Sequence, residues 1–534
     1  MVKVVNFLIG DQNKAKYPNI AGSSLSVNMY TEINGNAKYQ KGIDGIKYLK
    51  TIVDSTVGCK ASYVASVGLT ENNNAPDAFF AINNTIYRLD YKYDVYELGG
   101  IATQATPTFS ETGGERPLLL IADGYNIYYY DLKNGGLLKY ISLPERINEE
   151  NVSIRPSHIQ VVDGSIIVND FGTGYTYYSK PYVLSKEKRN VLDILNGEVQ
   201  YDGLKPKYKE VNADEWVFLD DYGVPQYKNG ESNSDSVLAL HAIGSNLTVF
   251  GSKSVEFWQR GSSDSYSTWN RISYSFNGEI GLDSNSVYSV ANVNNNIYFV
   301  SNGMTAGKGV FQINGTQFNK ISPTWLDDIL IDENDKIFGY SYSISNHSFY
   351  ILQLKNKSYC YDAYTKEWTE RSSRNINTGK DLKWNVVHPV WFTNRIIFGH
   401  SNDGHLFYLD KNYHMEDIND AQTVPLIRQR QSPILVDNYK AYTLDEISIE
   451  MNTGTVVNYD ANPMVQLEIS EDGGYTFSNT ILEQCGKTGQ YFYRVMFANL
   501  GMQRVCVFRF TFSENMDILL TDCVVKISPL DMVI

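Results

Sequence analysis

Apolar and polar positions along this chain come in short bursts, and the bursts come in pairs. From about residue 77 to about residue 410 an apolar strand repeatedly runs into a two-residue turn of Asn, Asp, Gly, Ser or Thr, and a second apolar strand follows. Asp77 to Leu89 has this form around Asn83-Asn84, Pro117 to Tyr130 around Asp123-Gly124, and His158 to Asn169 around Asp163-Gly164. Val237 to Phe250 turns at Gly244-Ser245, Ser286 to Val300 at Asn294-Asn295, Phe338 to Leu354 at Ser345-Asn346, and His388 to Gly399 at Thr393-Asn394. Asn, Asp and Gly tolerate positive φ, so these pairs favour tight hairpins. The turns start at 83, 123, 163, 244, 294, 345 and 394, which gives intervals of 40, 40, 81, 50, 51 and 48. A period of this size is that of a four-stranded propeller blade. The pattern predicts seven blades, bracketed by six and eight. The long interval contains a polar stretch, residues 197–232, whose one strong apolar piece is Trp216 to Leu219. It reads as an insertion within or between blades, with a hidden blade as the alternative.

After about residue 420 the texture changes. Arg428-Gln429-Arg430-Gln431 sits in a polar link, and longer alternating strands follow at Leu444 to Met451, Val465 to Ser470, Val505 to Phe512 and Leu519 to Ile527. In the third of these, Cys506, Phe508, Phe510 and Phe512 share one face while Arg509 and Thr511 share the other. The fold class is therefore all-β. A propeller is expected over 51–420, a separate β-sandwich over 421–534, and residues 1–50 as an extended strap joined to the β structure. Helices are few: Ser185 to Leu195, and Ser322 to Ile331 with Ser322 as N-cap and Pro323 at N1.

Composition refines this picture. With 534 residues the chain exceeds one ordinary core, and its 40 Tyr suit pleated, half-buried surfaces. A net charge of −14 disfavours affinity for phosphates and favours solubility. Cys59, Cys360, Cys485, Cys506 and Cys523 are scattered, odd in number and without a CxxC pair, so buried thiols are expected in place of disulfides or zinc. Met1 to Gly10 lacks a full signal-peptide pattern, and no run approaches a membrane span. Synthesis in the cytosol is the expectation.

No catalytic constellation emerges. His388, His400 and His405 are near in sequence but fall in different predicted strands or turns, and metal ligands must converge. Asp220-Asp221 and Asp327-Asp328 read as solvated neighbours. GxSxG, HExxH and P-loop patterns are missing. Ser470 to Phe477, SEDGGYTF, resembles the Asp box of sialidases with Phe477 for Trp. It is a hairpin in which Ser and Asp side chains bond the turn backbone, and it carries no hydrolytic chemistry. No catalytic, cofactor-binding or metal residue is assigned, and no cofactor is expected.

Several stretches together resemble one family. Near the start stand Leu25-Ser26-Val27-Asn28-Met29-Tyr30 and Gly42-Ile43-Asp44-Gly45-Ile46. The fullest similarity is Val237 to Gly244, then Leu247 to Gly251 and Ser254 to Trp258. Tyr361 to Trp368, Leu444 to Thr455 and Arg494 to Arg504 follow in order, the last leading into Val505 to Phe512. In this sequence and order the chain resembles the packaged-DNA stabilisation proteins of short-tailed bacteriophages, also called tail hub or nozzle proteins. Asp44 stands where that family has proline, and the 197–232 stretch departs from its shorter members.

The resemblance implies a structural virion protein, not an enzyme, in the short tail, assembled in the host cytoplasm. It implies a ring, of six copies, below the portal and its adaptor (head–tail connector) ring. That ring would hold a needle or plug and fibres or spikes, and packaged double-stranded DNA would pass through without sequence-specific binding. The charge suggests an acidic or neutral channel wall, with Arg428, Arg430 and the insertion carrying local positive charge toward neighbours; the alternative is that −14 is spread evenly as ordinary solubility charge. The alternatives are a receptor-binding or carbohydrate-active tail propeller, separated by glycan binding and hydrolysis assays, and a secreted surface propeller, which the missing signal argues against.

Overall fold

The computed structural model describes residues 3–6, 25–179 and 225–530, apart from 36, 103–105, 115–116, 148, 150, 231–234, 262–268, 273–279, 304–306, 439, 456–461 and 492. Successive antiparallel four-stranded units dominate it. Five stand as separate sheets, opening with Cys59–Val64, Thr108–Glu111, Ile159–Val162, Val237–Ile243 and Ala291–Val293. Two more, opening with Phe338–Ile344 and Val386–Phe392, belong to larger sheets. We number these seven units blades 1 to 7 in chain order. The opening strands are the innermost, and that of blade 7 packs on that of blade 1, which closes the ring.

Local sequence explains the hairpins. Asn83, Gly124, Asp163, Gly164, Gly244, Asn294, Asn295, Ser345, Thr393 and Asn394 all have positive φ, so every dipeptide of the repeat marks a real turn. Second strands such as Ala78–Ile82 and Leu118–Ala122 are buried at every residue. Both of their faces are covered, by the blade before and the blade after, which is why they read as unbroken apolar runs. Each large apolar side chain buried this way contributes roughly 2 kcal/mol.

The ring closes through the beginning of the chain. Gly45–Thr51 supplies the fourth strand of blade 7, with Ile46 opposite Leu409 and Tyr48 opposite Phe407. Propeller residues therefore start before 51. At the seam between blades 7 and 1 the chains touch closely: a Cβ on Gly399 would lie 2.3 Å from the Cβ of Cys59. Glycine is needed there for space.

Three sequence expectations need correction. The insertion is shorter than 197–232 at its far end, because Tyr227–Asn229 is the fourth strand of blade 3, paired with Tyr175–Tyr178. The excursion thus lies between strands three and four of that blade. Ser286, read as a strand start, belongs to the 3₁₀ helix Ser284–Ser289, where its hydroxyl accepts the Asp283 amide at 3.1 Å. The strand begins at Ala291. The second helix runs Thr324–Asp332 with Pro323 as the flanking cap residue. Ser322 is instead engaged with the Asp327 carboxylate and the Val310 amide. The Ser185 to Leu195 helix and Trp216 to Leu219 lie outside the described residues.

The sandwich packs two sheets. One carries Tyr442–Met451, Leu519–Pro529 and Val495–Ala498 together with Met29–Asn34, Ala37–Gly42 and Lys3–Asn6 from the start of the chain. The other carries Met464–Ser470, Ile481–Gln484, Val505–Phe512 and Arg428–Gln431. Between them Ile447, Val465, Phe497, Phe508, Phe510 and Val525 form a closed core. The sandwich is not confined to residues after 420, nor is it separate. Its second sheet continues through Leu25–Val27 into Glu367–Arg374, the outer strand of blade 6. No helix among the described residues is long and apolar enough to cross a membrane.

Candidate functional site

Where the two domains meet, the strap is the mortar. Leu25–Val27 lies between Glu367–Arg374 of blade 6 and Arg428–Gln431 of the sandwich. The next residue, Asn28, has φ 53 and is fully buried. Asn is among the few side chains that visit this region without a large penalty. Its side-chain amide donates to the carbonyls of Ser372 at 2.8 Å and Ile427 at 2.9 Å, and its side-chain oxygen accepts the Ser372 amide at 3.0 Å. One residue thereby ties strap, blade 6 and the interdomain link.

Buried polar groups surround it. The Arg428 guanidinium donates to the carbonyls of Ile43 at 3.0 Å and His414 at 3.2 Å, and burial pulls its pKa down to about 10 despite Asp517 and Asp44. A Cβ on Gly42 would sit 2.6 Å from Arg428 Cδ, which gives the first glycine of the GIDGI stretch its physical reason. Arg371 is fully buried, donates to the Met29 carbonyl at 3.3 Å and lies over the Phe349 ring. Thr31 donates to Glu367 and accepts Gln40 at 2.7 Å. His347, also fully buried, holds Asp362 at 2.6 Å and faces Glu32 at 3.4 Å. Burial disfavours its charge, but the two carboxylates outweigh burial and raise its pKa. Glu416 accepts from Ser373 and the Arg374 amide, and burial pushes its pKa up to about 7. A single unpaired buried group here would cost about 1–3 kcal/mol. The junction is thus a buried polar seam crossed by side-chain hydrogen bonds.

Arg428 and Arg430 correct an expectation. They are 0% and 5% exposed, so they face the seam and carry no charge toward neighbours. Sequence alternation missed the network because Glu367–Arg374 is buried on both faces.

The Asp-box hairpin is built as its residue types suggest. Asp472 accepts the amides of Tyr475 and Thr476, each at 2.9 Å, and Ser470 accepts the Gly474 amide at 2.8 Å. These hydrogen bonds, from Thr476 first, hold Asp472 well below the usual carboxylate range. Arg509 covers the Phe477 ring at 3.9 Å while pairing with Glu468 at 2.7 Å. A related device recurs in the propeller and escaped the sequence reading. Asp90, Asp131, Asp362 and Asp410 each end a third strand and accept the amide two residues on, at 2.8, 3.0, 2.9 and 3.0 Å. The signal was a strand ending in Leu or Tyr followed by Asp.

Of the three histidines, His400 and His405 share Asp403, at 2.8 and 3.9 Å, whereas His388 stands apart with burial lowering its pKa to about 4. Asp327 pairs with Lys320 at 2.9 Å, and Asp220-Asp221 lie outside the described residues. Among the described residues no three His, Cys, Asp or Glu side chains gather as a metal set. All five cysteines are buried and free, and burial raises their thiols to about 11 or 12.

A propeller stitched by N-terminal strands to a β-sandwich defines a two-domain, all-β protein. The family models bear on both parts: "Bacteriophage P22 Gp10, beta-propeller" matches residues 218–414 and "Bacteriophage P22 Gp10, beta-sandwich" matches residues 427–528. The chain belongs to this bacteriophage P22 Gp10 family, the packaged-DNA stabilisation or tail-hub family of short-tailed phages. A search of curated proteins gives no match. Among solved structures, a streptogramin B lyase is similar at 11% identity and TM-score 0.38, covering 72% of this chain and 98% of its own. A virginiamycin B lyase from Staphylococcus aureus is similar at 9% identity and TM-score 0.40, covering 68% of this chain and 98% of its own.

Proposed function

We propose that this chain builds the tail hub of a short-tailed phage. Copies form a ring, six in number, below the portal and adaptor proteins. The ring stabilises packaged double-stranded DNA and anchors the needle or plug and the fibres or spikes. Assembly takes place in the host cytoplasm, and DNA passes without sequence-specific binding.

The observation that carries this reading is the match of both domains to one phage family in the order propeller, then sandwich. The seam supports it mechanically. Domains joined through a single flexible link move relative to one another by default. Here three chain segments share one sheet, and buried hydrogen bonds cross it. Such a subunit can pass load from one domain to the other without bending. The test is a virion assembled without this chain. It is expected to package DNA and then lose it, and to lack fibres or spikes. Full retention of DNA, or location of the chain solely outside virions, would overturn the reading.

A further inference from the structure

A cavity of about 510 Å³ lies where the innermost strands of blades 6, 7 and 1 begin. Phe338, Val387 and Cys59, from the starts of those three strands, share its wall with Val57 and Leu354. Its charged lining is lopsided. Lys60, Lys336, Lys355 and Lys383 contribute four cations, against one carboxylate, Asp335. Lys355 is neutralised by Asp335 at 3.0 Å. Lys60 donates to the Asn84 side-chain oxygen at 3.1 Å, a neutral partner. Neither Lys60, Lys336 nor Lys383 has a carboxylate partner among the described residues. His388, also in the lining, is held neutral by burial. Three lysines without a carboxylate partner among the described residues therefore line one recess, Lys336 with its ammonium over the Tyr288 ring, in a chain whose net charge is −14.

Such a cluster is unfavourable in an empty site. Burial lowers the pKa of Lys60, with Lys336 adding repulsion, and burial alone lowers that of Lys383. An anion placed among them would relieve both costs through charge-assisted hydrogen bonds. Duplex DNA is far too wide for a space of this size, whereas the volume lies within the range of small-molecule sites.

We propose that this cavity is a binding site for a small multivalent oxyanion of the oligophosphate class. Lys60, Lys336 and Lys383 supply the charge, and the apolar wall of Val57, Phe338 and Leu354 excludes water from one side.

Calorimetric titration of the full chain with sodium triphosphate tests it. One-to-one binding that weakens as salt rises is expected. Combined Lys60→Gln and Lys383→Gln substitution should weaken it about tenfold or more, and Lys355→Gln, already paired, by less than about threefold. If the double variant fails to fold by circular dichroism, each single variant should still weaken binding about threefold. Citrate serves as the carboxylate arm and should bind more weakly than triphosphate. No heat with triphosphate at low salt, binding unchanged in the lysine variants, or tighter binding of citrate would each overturn the assignment.

Discussion

Asn28 is the residue on which strap, blade 6 and interdomain link all converge. Replacing it by Ala removes three side-chain hydrogen bonds and puts a less tolerant residue at φ 53. Asn28→Ala is expected to cost about 3 kcal/mol, read as a lower denaturation midpoint. Asn28→Asp should cost as much, because the two donated bonds are lost and a charge is buried. The pH response is set by two neighbours of the seam. Glu416 has a folded pKa raised to about 7 from 4.5, so the fold binds its proton more tightly than the unfolded chain does. The stability this gives is fully present below about pH 4.5 and lost as pH rises through about 7. His347, also raised, loses its contribution as pH rises from its ordinary 6.5 through the elevated folded value. Melting temperature should therefore fall from pH 5 toward pH 8. Glu416→Gln should recover roughly 2–3 kcal/mol of it at pH 8 and almost nothing at pH 5. Equal effects at both pH values would refute this account.

At the scale of elements, the seam between blades 7 and 1 is tight enough to be tested by one methyl group. Gly399→Ala would place a Cβ against Cys59 and should cost about 1–3 kcal/mol. The double change with Cys59→Gly should restore part of that loss, a coupling that thermal melts can measure. The hairpins of this ring were legible in the sequence, because Asn, Asp and Gly at the turns and apolar pairs around them act locally. Asn294-Asn295 and Thr393-Asn394 needed no tertiary information. The closing strand was not legible: Gly45–Thr51 reads GIKYLKT, and nothing local says that its partner is His405–Asp410. The polar seam was hidden for the opposite reason. Arg428-Gln429-Arg430-Gln431 reads as a solvated link, and only its partners Leu25–Val27 and Val505–Phe512 turn it into an interior strand. Motifs at 25–30 and 42–46 were visible as a family resemblance, but their cause, a left-handed Asn and a glycine beneath Arg428, lies in chain segments far away. Nothing in the spacing of lysines 60, 336, 355 and 383 announces that they line one recess.

On the scale of the whole molecule, like-charged subunits need a template to close a ring. The purified chain is expected to sediment mainly as a monomer and to assemble when mixed with its adaptor ring. Duplex DNA at physiological salt should bind the assembled ring only weakly, since a net charge of −14 leaves few cations to displace counterions. Tight duplex binding would contradict a low-friction channel. The strap has one more consequence, in time. Ile46 cannot pair until Leu409 exists, and Lys3–Asn6 waits for Leu519–Pro529. About 360 residues separate the first pair, so at roughly 5–20 residues per second the ribosome needs about 20–70 seconds to bridge them. Throughout that interval Gly45–Thr51 has no partner, and the early blades stand as an open arc with an exposed edge. The newborn chain is therefore most vulnerable to aggregation during this interval, and its final shape can be reached only once Leu519–Pro529 has been made.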